Sequence, residues 1–115
     1  MNIDYMINTD WETGLYLTGS RFFGGANVYS DWDFFMQYTP ELYQRLIAEG
    51  WEPRAGDYVD GGCVNVLQKS NVHLQLVKDA SVRAKQRDMI AAYINISEVE
   101  VSKRQMQLLW GLVRS

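Results

Sequence analysis

Residues 15–36, Leu-Tyr-Leu-Thr-Gly-Ser-Arg-Phe-Phe-Gly-Gly-Ala-Asn-Val-Tyr-Ser-Asp-Trp-Asp-Phe-Phe-Met, constrain this chain more than any other stretch. They read as an apolar strand (Leu15, Tyr16, Leu17), a Gly19-Ser20 turn, a short glycine-interrupted segment and a second strand carrying Asp31 and Asp33. Residues two apart on a strand share a face, so the two aspartates point one way while Trp32 and Phe34 point the other. Like charges held that close repel, and a cation or hydrogen-bond donors must offset them. Mg²⁺ suits this role, because it commonly takes one or two carboxylates and completes its shell with water and phosphate oxygens. Gly19-Ser20 supplies a phosphate contact nearby: a residue without Cβ admits close backbone approach, and the hydroxyl donates to an anion. A helix starting just after Ser20 would add its free N–H groups to that anion site.

The joint pattern Gly19-Ser20-Arg21-x-x-Gly24, then Ser30-Asp31-x-Asp33 and an apolar run, resembles the signature of the DNA polymerase beta-like nucleotidyltransferase superfamily. It is closest to the small minimal nucleotidyltransferases, whose segment reads G-S-R-x-x-G, a short spacer, then S-D-x-D. A motif of this kind counts when its structural context agrees, and here the flanking strand character does. The resemblance implies an α+β fold: a small twisted mixed sheet with helices packed mainly on one face and the active site at one end of the central strands. It implies Asp31 and Asp33 as catalytic metal ligands for Mg²⁺ or Mn²⁺, and a nucleoside triphosphate as substrate. Gly19, Ser20, Arg21 and Ser30 then form the nucleotide-binding segment, with Arg21 able to neutralise phosphate charge.

Such proteins usually carry a third acidic residue on a later strand, which here should be 72–77. Its alternate face carries His73, Gln75 and Val77, with no Asp or Glu. Gln75 takes the third catalytic position in this reading; its carbonyl can ligate weakly, but its amide cannot serve as a base. His73 has the chemistry for proton work, although a single strand histidine is more often structural. Asp79, Asp57 and Asp60 are other acids within reach in sequence.

A chain of 115 residues is one domain spanning 1–115, long enough for a core and too short for a second, substrate-binding domain. A net charge of −3 gives no overall basic field, so no dedicated nucleic-acid surface is expected. One cysteine, Cys63, excludes an internal disulfide and reads as a small apolar residue. No apolar run approaches the roughly 18 residues of a membrane span, and no signal-peptide pattern opens the chain, so a soluble cytoplasmic protein without membrane contact is expected.

Further along, strands are expected at about 14–18 and 32–38. Thr39-Pro40-Glu41 starts a helix over 40–49, with Leu42, Leu46 and Ile47 on one stripe and Gly50 ending it in a left-handed conformation. Residues 51–62 are turn-rich, with a short strand around Tyr58-Val59. Two alternating runs, 63–68 and 72–77, flank Lys69-Ser70-Asn71 as a hairpin. Asp79 or Ser81 caps a helix over about 80–94, with Val82, Met89, Ile90 and Tyr93 inward and Arg83, Lys85 and Arg87 outside. Ser97-Glu98-Val99-Glu100 has capping-box form and opens a last helix to about 113, with Met106, Leu109, Trp110 and Val113 as its apolar stripe.

Two functions follow. One is an enzyme moving a nucleoside monophosphate from a triphosphate to an acceptor hydroxyl. The other is a catalytically depleted protein on the same scaffold that binds a protein partner, in the manner of an antitoxin or of a phage or mobile-element inhibitor of a host factor. Exposed Trp or Tyr residues near Phe22-Phe23, Tyr29 or Trp51 would anchor that partner.

Overall fold

The computed structural model describes residues 14–54, 63–97 and 102–114. Their order is β1 (Leu15–Thr18), α1 (Ser20–Phe23), β2 (Trp32–Gln37), α2 (Pro40–Ala48), β3 (Glu52–Pro53), β4 (Cys63–Lys69), β5 (Val72–Val77), α3 (Ala80–Ser97) and α4 (Lys103–Arg114). One mixed sheet runs β1-β2-β5-β4-β3, with β2 and β5 parallel and the other pairings antiparallel. The chain is therefore α+β. Among the described residues no helix is long and apolar enough to cross a membrane.

Strand parity divides the core. On one face Leu15, Phe34, Leu67, Leu74 and Leu76 pack with Leu46 of α2 and with Trp51. On the other, Tyr16, Phe35 and Val77 pack against Ala80 and Ala84 of α3. Beyond them Phe23 of α1, Ile90 of α3 and Leu109 and Trp110 of α4 form a third cluster. So, among the described residues, α2 covers one face and α1, α3 and α4 gather on the opposite one. Phe34 and Phe35, neighbours in sequence, are both fully buried because β2 is interior and covered on both faces.

Local chemistry sets the helix ends. Thr39 Oγ1 accepts from the Leu42 N–H at 3.1 Å, and Pro40 follows it in the first turn. At the other end the Gly50 N–H donates to Ile47 O and the Trp51 N–H to Leu46 O, with Gly50 at φ 97°. This is a Schellman ending, and it carries Trp51 back into the core. Asp79 caps α3: its Oδ1 accepts from the Val82 N–H at 3.2 Å and from the Ser81 hydroxyl at 2.9 Å. Those donors hold its carboxyl below the ordinary aspartate range.

Three expectations need correction. The inward face of α3 differs in part: Ile90 is buried and Lys85 exposed as expected, but Arg83 and Arg87 are buried with Ala80 and Ala84, while Val82, Met89 and Tyr93 are exposed. Long arginine stems can lie along apolar neighbours while their heads reach polar partners, so charge alone does not mark the outer face. Here Arg87 Nη1 donates to Leu17 O at 2.9 Å and its guanidinium lies 4.2 Å over the Phe22 ring. The last helix is capped by Ser102, whose Oγ accepts from the Gln105 N–H at 3.2 Å; Ser97 instead ends α3. The hairpin loop is the two-residue Ser70-Asn71, since Lys69 already pairs with Val72, and Ser70 adopts φ 55°. A short edge strand lies at Glu52–Pro53, pairing with Gln68 and Leu67. The strand expected near Tyr58-Val59, together with Asp57 and Asp60, lies outside the described residues, as do Glu98 to Glu100.

Leu74 is fully buried on the central strand β5, so Leu74→Ala removes core volume that the sheet cannot refill. It should cost about 2–5 kcal/mol in denaturant unfolding.

Candidate functional site

The register of the three strands β1, β2 and β5 builds the site. Thr18 is paired with Asp33 across β1 and β2, and Asp33 with His73 across β2 and β5. All three stand on the face covered by α1, α3 and α4. Gly19 follows Thr18, so the turn leaves the sheet directly beside the Asp33 carboxylate. Its φ is 71°, and a Cβ placed on it would lie 2.5 Å from Asp33 Oδ2. Glycine is required here for both the conformation and the space. The turn is closed by the N–H groups of Phe22 and Phe23, which both donate to Gly19 O at 3.0 Å.

Asp31, just before β2, and Asp33 converge on one imidazole. His73 Nδ1 lies 3.2 Å from Asp33 Oδ1, and Nε2 lies 3.7 Å from Asp31 Oδ2. From β4's side, Arg54 approaches the same ring, with Nη1 2.6 Å from Nε2 and 3.2 Å from Nδ1. Its backbone is fixed by an N–H donated to Val66 O at 2.9 Å, which continues the β3–β4 pairing. A guanidinium only donates, so the short contact requires Nε2 as acceptor; Nδ1–H then donates to Asp33. His73 thus orients Asp33, while its other nitrogen is engaged by Arg54. The alternating pattern of 72–77 had brought His73 to this face; its nearness to both aspartates comes only from the register.

Asp33 is partly buried, and that burial, reinforced by the Asp31 charge, raises its pKa above the ordinary aspartate value. The charges of His73 and Arg54 and the bond from His73 act the other way without cancelling the rise. A carboxylate perturbed in this way within a cavity is a candidate functional group.

A cavity of about 770 Å³ opens over this face. Gly19, Ser20, Asp31, Asp33, His73 and Gln75 all line it, together with Arg54 and Arg83. Gln75 stands two residues beyond His73, and its Oε1 accepts from Arg83 Nη2 at 3.4 Å. Arg21 and Ser30 serve elsewhere. Arg21 Nη2 donates to the Ser30 carbonyl at 2.7 Å, and its guanidinium lies 4.0 Å over the Trp32 ring. It fastens the 24–30 loop and does not line the cavity. Asp79 is committed to capping α3 and is not part of the lining. Arg54 and Arg83 were not singled out from sequence; Arg83 was expected outside.

Asp31 and Asp33 are the carboxylates of this cavity that could hold a divalent cation. Among the described residues no group of three or more His, Cys, Asp or Glu side chains is spaced to hold a metal ion. No family model, curated protein or solved structure matches the chain.

Two predictions follow from this geometry. Because native Asp33 binds its proton more tightly than the unfolded chain does, stability falls as pH rises from the ordinary aspartate range through the raised value. Asp33→Asn removes that ionisation, so it should raise the denaturant midpoint at pH 7 relative to wild type and flatten the dependence across that window. Gly19→Ala should displace the Asp33 carboxylate and cost about 1–3 kcal/mol in thermal or denaturant unfolding, since it combines a strained φ with a steric overlap.

Proposed function

We propose that this protein binds a nucleoside triphosphate with a divalent cation and transfers its nucleoside monophosphate to an acceptor hydroxyl. The observation that carries the reading is the seating of the Gly19 turn directly against Asp33, in one cavity with Ser20 and Asp31. The resemblance of Gly19-Ser20-Arg21-x-x-Gly24 and Ser30-Asp31-x-Asp33 to minimal nucleotidyltransferases supports the same reading. In it Asp31 and Asp33 hold Mg²⁺ or Mn²⁺. The bound cation supplies charge neutralisation at the phosphate oxygens.

The chain's own part is positioning and electrostatics, which phosphoryl transfer chiefly needs. Gly19 lets the backbone approach the phosphates, and the Ser20 hydroxyl donates to a phosphate oxygen. His73 holds the Asp33 carboxylate in place through Nδ1. The acceptor hydroxyl attacks the α-phosphorus in line and releases its proton to solvent water, the bond to the bridging oxygen breaks, and pyrophosphate leaves. Gln75 lines the cavity as a neutral amide and takes no proton.

A second reading, a binding partner or inhibitor on a depleted scaffold, is favoured by one observation. Val82, Met89, Tyr93 and Ile96 form an exposed stripe along α3, and Leu108 and Leu112 are exposed on α4. Large apolar patches on a small protein commonly mark protein contacts.

The decisive assay incubates the protein with labelled nucleoside triphosphates, Mg²⁺ or Mn²⁺ and cell extract. Label should pass to an acceptor with wild type and fall to background with the Asp31→Ala/Asp33→Ala double variant. Equal transfer by both proteins would place the reaction outside this site, and a stoichiometric protein partner without transfer would favour the second reading.

A further inference from the structure

The cavity is lined by two chemically different sets of residues. One is the strand end, where Asp31 and Asp33 stand beside the Gly19-Ser20 turn. The other comes from Phe23 of α1 and from Met106, Gln107 and Trp110 of α4. Positions three and four apart on a helix are neighbours, so Met106 and Gln107 stand one turn before Trp110 on the side of α4 that meets the cavity.

This second set is held in place by the fold itself. The Arg83 guanidinium lies 4.2 Å over the Trp110 ring, and the Phe23 ring meets that indole edge-on with centroids 6.1 Å apart. Arg83 Nη2 also donates to Gln75 Oε1 at 3.4 Å, so the indole of α4 is tied through that arginine to β5. Phe23 and Trp110 are buried, Met106 packs half-buried against them, and Gln107 is exposed. A thioether and an indole give a polarisable apolar surface, which neither a cation nor a phosphate chain gains from meeting. An aromatic base does gain from it. The Gln107 amide presents a donor and an acceptor together, the pair that a base edge offers in return. At about 770 Å³ the cavity is in the range of pockets that enclose a whole small ligand, with room for a nucleoside as well as its phosphates.

We propose that Met106, Gln107 and Trp110 form the subsite for the base of the bound nucleotide. Met106 and Trp110 carry the ring, and Gln107 hydrogen-bonds its edge. The inference rests on the nucleotide-binding reading above and adds to it the side chains that recognise the nucleoside. In this arrangement β2 supplies the carboxylates and α4 the specificity.

The test follows the methyl resonances of isotope-labelled methionine in the full chain. Met106 is assigned from Met106→Leu, and Met89, exposed on α3, is the control. Adenosine, guanosine, cytidine and uridine are titrated with chelator present, then their α,β-methylene triphosphates and inorganic tripolyphosphate, each with Mg²⁺. Met106 should shift saturably with at least one nucleoside and with its triphosphate analogue, while Met89 stays in place; tripolyphosphate should move neither. By calorimetry, Gln107→Ala should bind the same analogue about threefold or more weakly, the loss of one hydrogen bond, with tripolyphosphate affinity unchanged. Gln107 is exposed and alanine is favourable in a helix, so this variant keeps the fold, which far-UV circular dichroism checks. The subsite is overturned by a Met106 methyl that ignores nucleosides and analogues, or that moves no more than Met89 or equally with tripolyphosphate. A smaller effect of Gln107→Ala overturns it too. The catalytic reading fails differently. An analogue that binds by calorimetry without moving Met106 would remove the base subsite and leave nucleotide binding in place. A base-dependent Met106 shift with no label transfer would keep the subsite and remove the reaction.

Discussion

The contact between the Gly19 backbone and the Asp33 carboxylate is the constraint on which the site depends. Antiparallel pairing sets Thr18 opposite Asp33, so the chain must turn away from the sheet within one residue of an acidic side chain. A residue with a Cβ would collide with that carboxylate and would also resist the positive φ of the turn. With glycine there, the turn, α1 and Asp33 pack as a unit, and the parallel pairing with β5 brings His73 to the other side of the same carboxylate. The position of Asp33 is thus set from two strands at once. Burial in that confined position, with the nearby Asp31 charge, raises its proton affinity.

Charge is distributed across the molecule in an uncommon way for a helix on a sheet. α3 turns two arginines inward and an apolar stripe outward, the reverse of the usual amphipathic arrangement. The inversion is tolerable because Arg87 ties the helix to β1 through Leu17 O and lies over Phe22, while Ala80 and Ala84 let the backbone approach the sheet. Gln37 completes the junction: its amide donates to Lys78 O at 2.7 Å and its Oε1 accepts from the Ala80 N–H at 2.9 Å. Of the two buried arginines, Arg83 lines the cavity and Arg87 ties α3 to β1 and α1.

Much of the framework was legible in residue pattern. Gly and Pro punctuation, caps and two-residue alternation act locally, so they located α2 with its Thr39 cap and Gly50 ending, and the β4–β5 hairpin. The identity of the Asp31/Asp33 pair and of the Gly19-Ser20 turn was legible for the same reason. Periodicity failed on α3 because a hydropathy pattern treats arginine as outward, whereas a long side chain can bury its stem and reach a partner. It failed on the entry to α4 because two serines had capping potential and only one stands where the helix begins, at Ser102.

Sequence by itself determined the α+β class, the strand parity that puts Asp33, His73 and Gln75 on one set of faces, and the need for glycine before Ser20. Tertiary structure alone decided the partners: that β5 lies beside β2, that His73 and Arg54 meet the aspartates, and that Arg21 is spent on the Ser30 carbonyl while Arg83 faces the cavity. The division has a physical cause. Turns, caps and alternation are set by neighbours along the chain, whereas the strand order and helix packing that choose a charge's partner depend on residues dozens of positions apart.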